Sequence, residues 1–236
     1  MTTANKNTKS SNSGRKSRKV AAISAGIVVI GLGATYTLAT WNDSEWVWGG
    51  ADGDPGVGTS SFNVQQDASA PYAAPGNFGN FEANPGDELT FSAGALELSP
   101  GDSVYAPVAL RTEAGSEAGE VILQGAVAAS GITVNDDDNY LWNAVRVSVY
   151  TAGGTTPPGT CDADFDVSDW GAALVSDVAL GTVASSAQSL AANAGSTQHY
   201  CFQISLPETP TGDFTDVNDL QGLTIAPAWE FAAESS

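Results

Sequence analysis

The stretch that decides the fold runs from His199 to Leu206 and reads HYCFQISL. Successive side chains of an extended chain point to opposite faces, so apolar residues at every second position share one face. Here those residues are Tyr200, Phe202, Ile204 and Leu206. The stretch from Leu141 to Tyr150 alternates in the same way, with Val145, Val147 and Val149 on one side. This period predicts β-strands that bury one face.

Turn residues separate further short segments of this kind. Ser99-Pro100-Gly101-Asp102 predicts a tight turn, and Pro107 predicts an edge strand or a bulge. The remaining candidate strands are Ser61–Gln66, Leu89–Leu98, Ser103–Arg111, Glu120–Ala129 and Gly222–Phe231. Helix signals are weak, and the two candidates are Trp170–Val178 and Ala184–Ala194. Residues 61–236 therefore predict an all-β domain, an antiparallel β-sandwich.

Residues 1–39 have the features of a secretory signal peptide with an extended polar leader. Four cations, Arg15, Lys16, Arg18 and Lys19, precede an uncharged run from Val20 to Ala39. We predict a signal helix that signal peptidase cleaves between Ala39 and Thr40, where the side chains are small. The alternative is a retained membrane anchor, because about 20 apolar residues span a bilayer. The glycine and hydroxyl residues of the run favour cleavage.

Residues 40–60 form a Trp- and Gly-rich arm at the predicted mature N-terminus. Trp41, Trp46 and Trp48 follow the cleavage site closely, and the glycines from Gly49 to Gly58 predict a flexible tether. Large aromatic side chains are not expected to remain in water. They either fold back onto the chain's own sandwich or act as an assembly arm that packs on a neighbouring subunit.

The residues around the cleavage site resemble the exit region of the alternate, SipW-dependent signal peptides. The resemblance rests on Leu38-Ala39-Thr40-Trp41-Asn42-Asp43, in which a small residue and an aromatic precede a polar pair. Such peptides occur on TasA- and camelysin-type exported proteins of Gram-positive bacteria, and the composition resembles their actinobacterial branch. The similarity extends more loosely over Phe62–Phe231, through Leu96-Glu97-Leu98-Ser99-Pro100-Gly101-Asp102 and through Cys201 before Gln203-Ile204-Ser205-Leu206-Pro207. It implies a β-sandwich of jelly-roll type at the cell surface or in the extracellular matrix.

Charge is segregated along the chain. All 27 acidic residues follow position 42, whereas only Arg111 and Arg146 of the 8 basic residues lie beyond position 20. Binding of nucleic acid or of an anionic membrane surface needs clustered Lys and Arg, so the exported part is not expected to bind either. An acidic surface instead favours solubility and attracts divalent cations.

The cysteines and the histidine indicate structure rather than catalysis. Cys161 and Cys201 are the only cysteines, and an even count in an exported chain predicts a disulfide. With a single histidine they are too few for a closed zinc site. His199 falls on the polar side of its strand, where we expect it to face solvent. No His-Glu-x-x-His motif, nucleophile elbow at a strand end or phosphate loop is present, so we predict no catalytic residue and no enzyme.

Three acidic clusters are candidates for calcium. Calcium prefers six to eight oxygen ligands, which carboxylates in loops can supply. The clusters are Asp136-Asp137-Asp138, Asp162, Asp164 and Asp166 with Asp169, and Asp213, Asp216 and Asp219. The second begins like an EF-hand loop but has Val167 where the motif needs glycine and Ala173 where it needs glutamate. We therefore expect turn and solubility residues, and no bound cofactor.

The sequence as a whole predicts an exported structural protein of the cell surface or extracellular matrix. A filament or biofilm-matrix subunit is one form that such a protein takes, with self-association or a cell-surface partner. The alternative is a secreted binding module, such as an adhesin or a carbohydrate- or calcium-binding protein. Such a module would use exposed aromatic side chains, for which Tyr72, Tyr140 and Trp142 are candidates.

Overall fold

The computed structural model describes residues 59–69 and 76–236, together with the backbone of residues 50–51 and 54–55. The predicted signal helix, the junction of Ala39 and Thr40, the three arm tryptophans and Tyr72 lie outside these residues. The chain divides into two compact units, residues 1–58 and 59–236. In the first unit, strand β1 (Gly50–Ala51) pairs antiparallel with β2 (Asp54–Pro55).

The second unit is built from short strands with little helix. In its described residues the strands are β3 (Val64–Asp67), β4 (Ser103–Thr112), β5 (Gly119–Leu123), β6 (Val127–Ala128), β7 (Arg146–Gly153), β8 (Ala173–Val178), β9 (Gln188–Leu190), β10 (Gln198–Ser205), β11 (Pro227–Ala228) and β12 (Phe231–Ser235). One α-helix, α1 (Tyr140–Ala144), and two 3₁₀ turns, Val167–Asp169 and Val217–Leu220, complete the described elements. No helix among these residues has the length and hydropathy to cross a bilayer.

The strands form antiparallel sheets, so the predicted all-β sandwich is confirmed. The larger sheet has the order β3-β4-β10-β7-β8, and the smaller one has the order β12-β5-β9. Strands β11 and β6 form a separate pair. The central strand of the larger sheet is β10, which contains the alternating HYCFQIS segment.

Aromatic side chains of β10 join the two sheets. Tyr200 and Phe202 are almost completely buried and point toward the smaller sheet. The Tyr200 ring lies 4.8 Å from that of Phe231 in β12, and the Phe202 ring lies 4.9 Å from that of Trp229. Because residues directly opposite in a ladder share a face, Val149 of β7 extends the same apolar layer. The alternation read from the sequence therefore places the core correctly.

Pro107 lies inside β4 without costing a ladder hydrogen bond. The Tyr105 N–H donates to Ser92 Oγ at 3.1 Å, and the Tyr105 carbonyl accepts from the Ser92 N–H at 2.8 Å. Odd-numbered residues of β4 therefore turn their backbone groups away from β10. Pro107 belongs to this set and lies beyond the end of β3, which pairs only as far as Ala109. The prediction of an edge strand or a bulge is therefore wrong, because β4 is the second strand of its sheet and pairs with β10 in a continuous register.

Several predicted elements are wrong. Leu89–Leu98 forms turns rather than a strand, and the predicted helices Trp170–Val178 and Ala184–Ala194 contain strands β8 and β9 instead. Strand Glu120–Ala129 breaks after β5, and a Cβ at Gly125 would lie only 2.2 Å from the Gly181 carbonyl oxygen. Gly222–Phe231 contains only the short β11 before β12 begins. Tertiary contacts outweigh local propensity in each of these short segments.

The start of the predicted strand Leu141–Tyr150 is the helix α1. The carboxylate of Asp136 is buried and accepts hydrogen bonds from the N–H groups of Leu141 and Trp142, at 3.1 and 2.8 Å. These are backbone donors that the first turn of a helix leaves without partners. Asp136 thereby stabilises one helical turn immediately before β7. The buried set Val145, Val147 and Val149 is nevertheless as predicted.

Candidate functional site

An open groove runs into the core between strands β3 and β12, which are edge strands of the two sheets. Its volume is about 1560 Å³. Its floor consists of core side chains from both sheets, including Val108, Leu110, Phe202, Ile204, Trp229 and Phe231. Val108, Leu110, Phe202 and Ile204 are themselves buried, whereas Trp229 and Phe231 are partly exposed. The accessible apolar surface of the floor therefore comes from the residues next to strand β12.

Strand β12 presents unpaired backbone groups at this open side. Its even-numbered residues bond to β5, since the Gln124 N–H donates to the Glu230 carbonyl at 2.8 Å within the same antiparallel register. Alternation along an antiparallel ladder directs the N–H and C=O groups of Phe231 and Ala233 away from β5. No described strand pairs with β12 on that side. Within the described part of the chain this edge therefore has no partner strand, and its backbone groups can accept one further extended segment.

Exposed apolar side chains surround the groove. Leu96 is 87% exposed, and Val127, Ile132, Phe81 and Val217 are each at least 43% exposed. All five also line the groove. Isolated exposed apolar residues are common on protein surfaces, but a cluster beside an apolar depression is typical of a binding surface.

The rim of the groove is acidic. Its lining includes five carboxylates, those of Glu82, Asp87, Glu88, Glu97 and Glu230, and it includes no Lys or Arg. All except Asp87 are exposed, so water solvates their charges. The groove therefore combines an apolar floor with a negatively charged rim.

The predicted disulfide between Cys161 and Cys201 is confirmed, with the two Cα atoms 5.6 Å apart and a sequence separation of 40. Cys201 lies on β10 and is completely buried. The bond attaches the acidic loop after Pro157 and Pro158 to the outer face of the larger sheet, opposite the core.

Phe165 covers that outer face with a small aromatic cluster. Its ring lies 5.2 Å from that of Tyr105, 4.9 Å from that of Tyr150 and 6.2 Å from that of Trp170. The buried indole of Trp170 donates from Nε1 to the Thr160 carbonyl at 3.2 Å. Burial, with Tyr150 nearby, raises the pKa of Tyr105. The disulfide loop therefore makes a second, smaller core on the side of the sheet that faces away from the groove.

His199 is buried, so the prediction that it faces solvent is wrong. Only 1% of the residue is exposed. Its Nε2 lies 3.2 Å from the Gly154 carbonyl oxygen. Burial lowers the pKa of the imidazole, and the hydrogen bond to Gly154 partly opposes that shift. The alternation placed His199 on the correct face, but the sequence did not reveal that this face is covered.

The calcium candidates Asp162, Asp164 and Asp166 make local turn contacts. The Asp162 carboxylate accepts a hydrogen bond from the Asp164 N–H at 2.9 Å, and that of Asp166 accepts one from the Ser168 N–H at 2.8 Å. The bonds from Ser168 lower the pKa of Asp166, which caps the 3₁₀ turn Val167–Asp169. These carboxylates therefore act as turn and capping residues, as such sequences often do.

The other two acidic clusters have the same role. Asp136 caps α1, and Asp216 and Asp219 form a reciprocal capping box on the 3₁₀ turn Val217–Leu220. Within the described residues, no three His, Cys, Asp or Glu side chains lie together as a metal-binding group would require.

The aromatic candidates for ligand binding contribute to the core. Tyr140 and Trp142 lie on α1 and are half-buried against the main apolar cluster. The Tyr140 ring meets that of Phe214 edge-on, with the ring centroids 6.4 Å apart. They do not form the flat, exposed platform that sugar binding would favour.

Sequence reasoning did not identify the groove, whose walls come from residues that are distant in the sequence. The available signal was weak, namely the apolar Leu96 in a turn-rich segment, directly followed by Glu97. Comparison with known proteins adds no relative: no family model matches the chain, and no curated protein matches it significantly.

Proposed function

We propose that the protein is an exported structural subunit of the cell surface or extracellular matrix, which self-associates through its N-terminal arm. The arm of one subunit, Thr40–Trp48, would lie in the groove of the next. The signal-peptide features, the resemblance to TasA- and camelysin-type proteins and the disulfide-bonded β-sandwich support this role. The observation that carries it is the apolar groove beside the free edge of β12.

The shape of the groove favours an extended peptide over a small ligand. Pockets for small molecules have volumes of roughly 300–1,000 Å³, and this groove is larger, at about 1560 Å³. A peptide strand added at a sheet edge gains main-chain hydrogen bonds, while pockets receive alternate side chains. Phe231 and Ala233 offer the main-chain groups, and the groove floor offers the apolar pockets.

The arm matches these requirements. Trp46 and Trp48 are two residues apart, so an extended chain directs both toward the same face. Each tryptophan buries on the order of 200 Å². At about 25 cal/mol per Å², Trp46 and Trp48 together supply roughly 10 kcal/mol before the costs of ordering and association. That magnitude supports a stable subunit contact even after a large discount.

The competing arrangement is a closed monomer in which the arm occupies its own groove. Phe62 already lines the groove, only three residues after the start of the second unit at Thr59. Ten residues, 49–58, connect Trp48 to Thr59, and their β1–β2 hairpin makes this connection shorter than a fully extended chain. Donation to a neighbour produces polymers, whereas self-packing produces monomers.

The test compares chains that start at Thr40 and at Gly49, by size-exclusion chromatography and electron microscopy. We expect the longer chain to assemble and the shorter one to remain monomeric. If both stay monomeric or both assemble equally, the arm is not a donor segment. A monomer that binds an apolar small molecule in the groove would instead support the secreted binding module.

A proline substitution tests the edge of β12 directly. Ala233→Pro removes an N–H that points away from β5, so we expect assembly to be lost while the fold is retained. Ala232→Pro is the matched control, because it removes an N–H that bonds to β5 and should weaken the fold itself. Normal assembly of a folded Ala233→Pro chain would contradict pairing at this edge.

A further inference from the structure

The groove and its proposed occupant carry charge of the same sign. The groove rim presents Glu82, Asp87, Glu88, Glu97 and Glu230 and no basic residue. The segment from Thr40 to Gly58 contains Asp43, Glu45, Asp52 and Asp54, and again no Lys or Arg. Charges that face each other across an interface are usually opposite in sign. Like charges on the groove rim and the arm should therefore oppose their contact.

The apolar contact brings these charges close together. When Trp46 and Trp48 enter the groove, Glu45 lies one residue away and Asp43 only three, within ~10 Å of the inserted ring positions at about 3.4 Å per residue. Four of the five rim carboxylates are exposed, and the groove lining contains no basic side chain beside them. The strength of the repulsion between rim and arm therefore depends on screening by salt ions, because no basic side chain of the groove lining neutralises the carboxylates.

Resting on the proposed arm-in-groove contact, we infer that self-association is gated by ionic screening and strengthens as salt concentration rises. The Debye length falls from about 30 Å at 0.01 M ionic strength to about 3 Å at 1 M. At low ionic strength the rim repels the arm, and the subunits stay apart. At high ionic strength the repulsion between carboxylates is screened over a distance shorter than a side chain. The apolar contact between arm and groove then dominates.

The experiment measures the subunit dissociation constant of the chain Thr40–Ser236 by sedimentation velocity between 0.01 and 0.5 M NaCl. We expect association to tighten by about tenfold or more across this range. MgCl2 and CaCl2 should act alike, and at lower concentrations than NaCl. A constant that is flat in salt, that weakens with salt, or that responds to CaCl2 alone overturns the inference. Absence of assembly in every condition overturns the proposed function instead.

Charge-neutral variants separate repulsion from a general effect of salt on apolar contacts. Asp43→Asn with Glu45→Gln in the arm, or Glu88→Gln with Glu97→Gln at the rim, should tighten association at 0.01 M and flatten its salt dependence. Asp138→Asn with Asp164→Asn changes the net charge equally, at exposed positions that do not line the groove. This control should behave like the unmodified chain. Equal behaviour of all three variants would show that repulsion between rim and arm is not the cause.

Discussion

His199 shows how a single residue can follow the sequence pattern and still be misread. Its position in β10 places it on the face opposite Tyr200 and Phe202. That face is buried because the disulfide loop covers part of it, and His199 lies against Gly154. A polar residue at an alternating position signals solvent only when nothing else in the chain packs over that face.

The same residue gives the protein a specific pH dependence. Burial lowers the pKa of His199 in the folded state below its unfolded value near 6.5, so protonation favours unfolding. The stability that depends on neutral His199 is fully present above about pH 6.5. It is lost as the pH falls from there through the lower pKa of the folded state. The slope should be at most about 1.4 kcal/mol per pH unit, measured by urea unfolding between pH 7.5 and 5.

The assignment of this slope is direct because the sequence contains one histidine. Carboxylates titrate mostly below this window. His199→Gln should give a flat profile across it, whatever its absolute stability. If the unfolding free energy of the unmodified chain does not change over this range, protonation of His199 does not destabilise the fold.

Tyr200 is a second buried polar group, with a different role. Its hydroxyl has no hydrogen-bond partner among the described residues, and burial raises its pKa. The ring contributes through its contact with Phe231, which joins the two sheets. Packing therefore retains a tyrosine in the core despite the cost of desolvating its hydroxyl.

At the scale of elements, the loop from Cys161 to Trp170 forms a cover over the larger sheet. The disulfide fixes one end of the cover, and Phe165 fills the space against Tyr105 and Tyr150. Substitution of both cysteines by serine should release it, with a loss of up to ~4 kcal/mol in the chain-entropy model. Chemical unfolding measures this loss, and the emission of Trp170 should shift as its environment opens.

A variant in the same loop separates the covalent bond from the packing. Phe165→Ala keeps the disulfide and removes a half-buried ring, so we expect a smaller loss of about 1–2 kcal/mol. Thiol titration of the unmodified native protein should give no free cysteine. Equal stability of the oxidised and reduced protein would show that the cover does not stabilise the sheet.

The strands that the sequence predicts well are those whose two faces differ. In β7 and β10 the alternation is long enough to place the core residues Val147, Val149 and Phe202 correctly. Strands β8 and β9 have only six and three residues, too few for a period of two to be told from a helical period. Helix α1 depends on the buried Asp136, whose capping role appears only when the chain is folded.

The groove was beyond prediction for a related reason. Its two edge strands, β3 and β12, lie near opposite ends of the described domain, and nothing local in either strand indicates that no strand lies between them. The arm, in contrast, was apparent from sequence because three tryptophans crowd a short polar segment. Sequence therefore predicts the arm as a candidate assembly segment, whereas the structure identifies a groove with suitable chemistry.

At the scale of the whole molecule, the order of export and assembly can be derived from the position of the arm. Before cleavage the arm would directly follow the apolar run that ends at Ala39 and remain beside the membrane. Cleavage would free its end and, under the proposed function, would determine when the arm can reach a neighbour. A groove that is already open in the folded domain needs no further activation, apart from the ionic conditions inferred above.

This order predicts both the site of processing and its effect on assembly. We expect secreted protein to begin at Thr40, within a residue or two, as N-terminal sequencing of culture supernatant would show. Ala39→Trp places a large side chain where signal peptidase needs a small one, so secretion should fall strongly. Any uncleaved protein should remain in the membrane fraction and appear unassembled by microscopy. A substitution at an exposed residue of the domain, such as Asp138→Asn, is the control and should leave processing unchanged. Secreted protein that begins at Met1 or Thr2, or that assembles without cleavage, would contradict the proposed role of the arm.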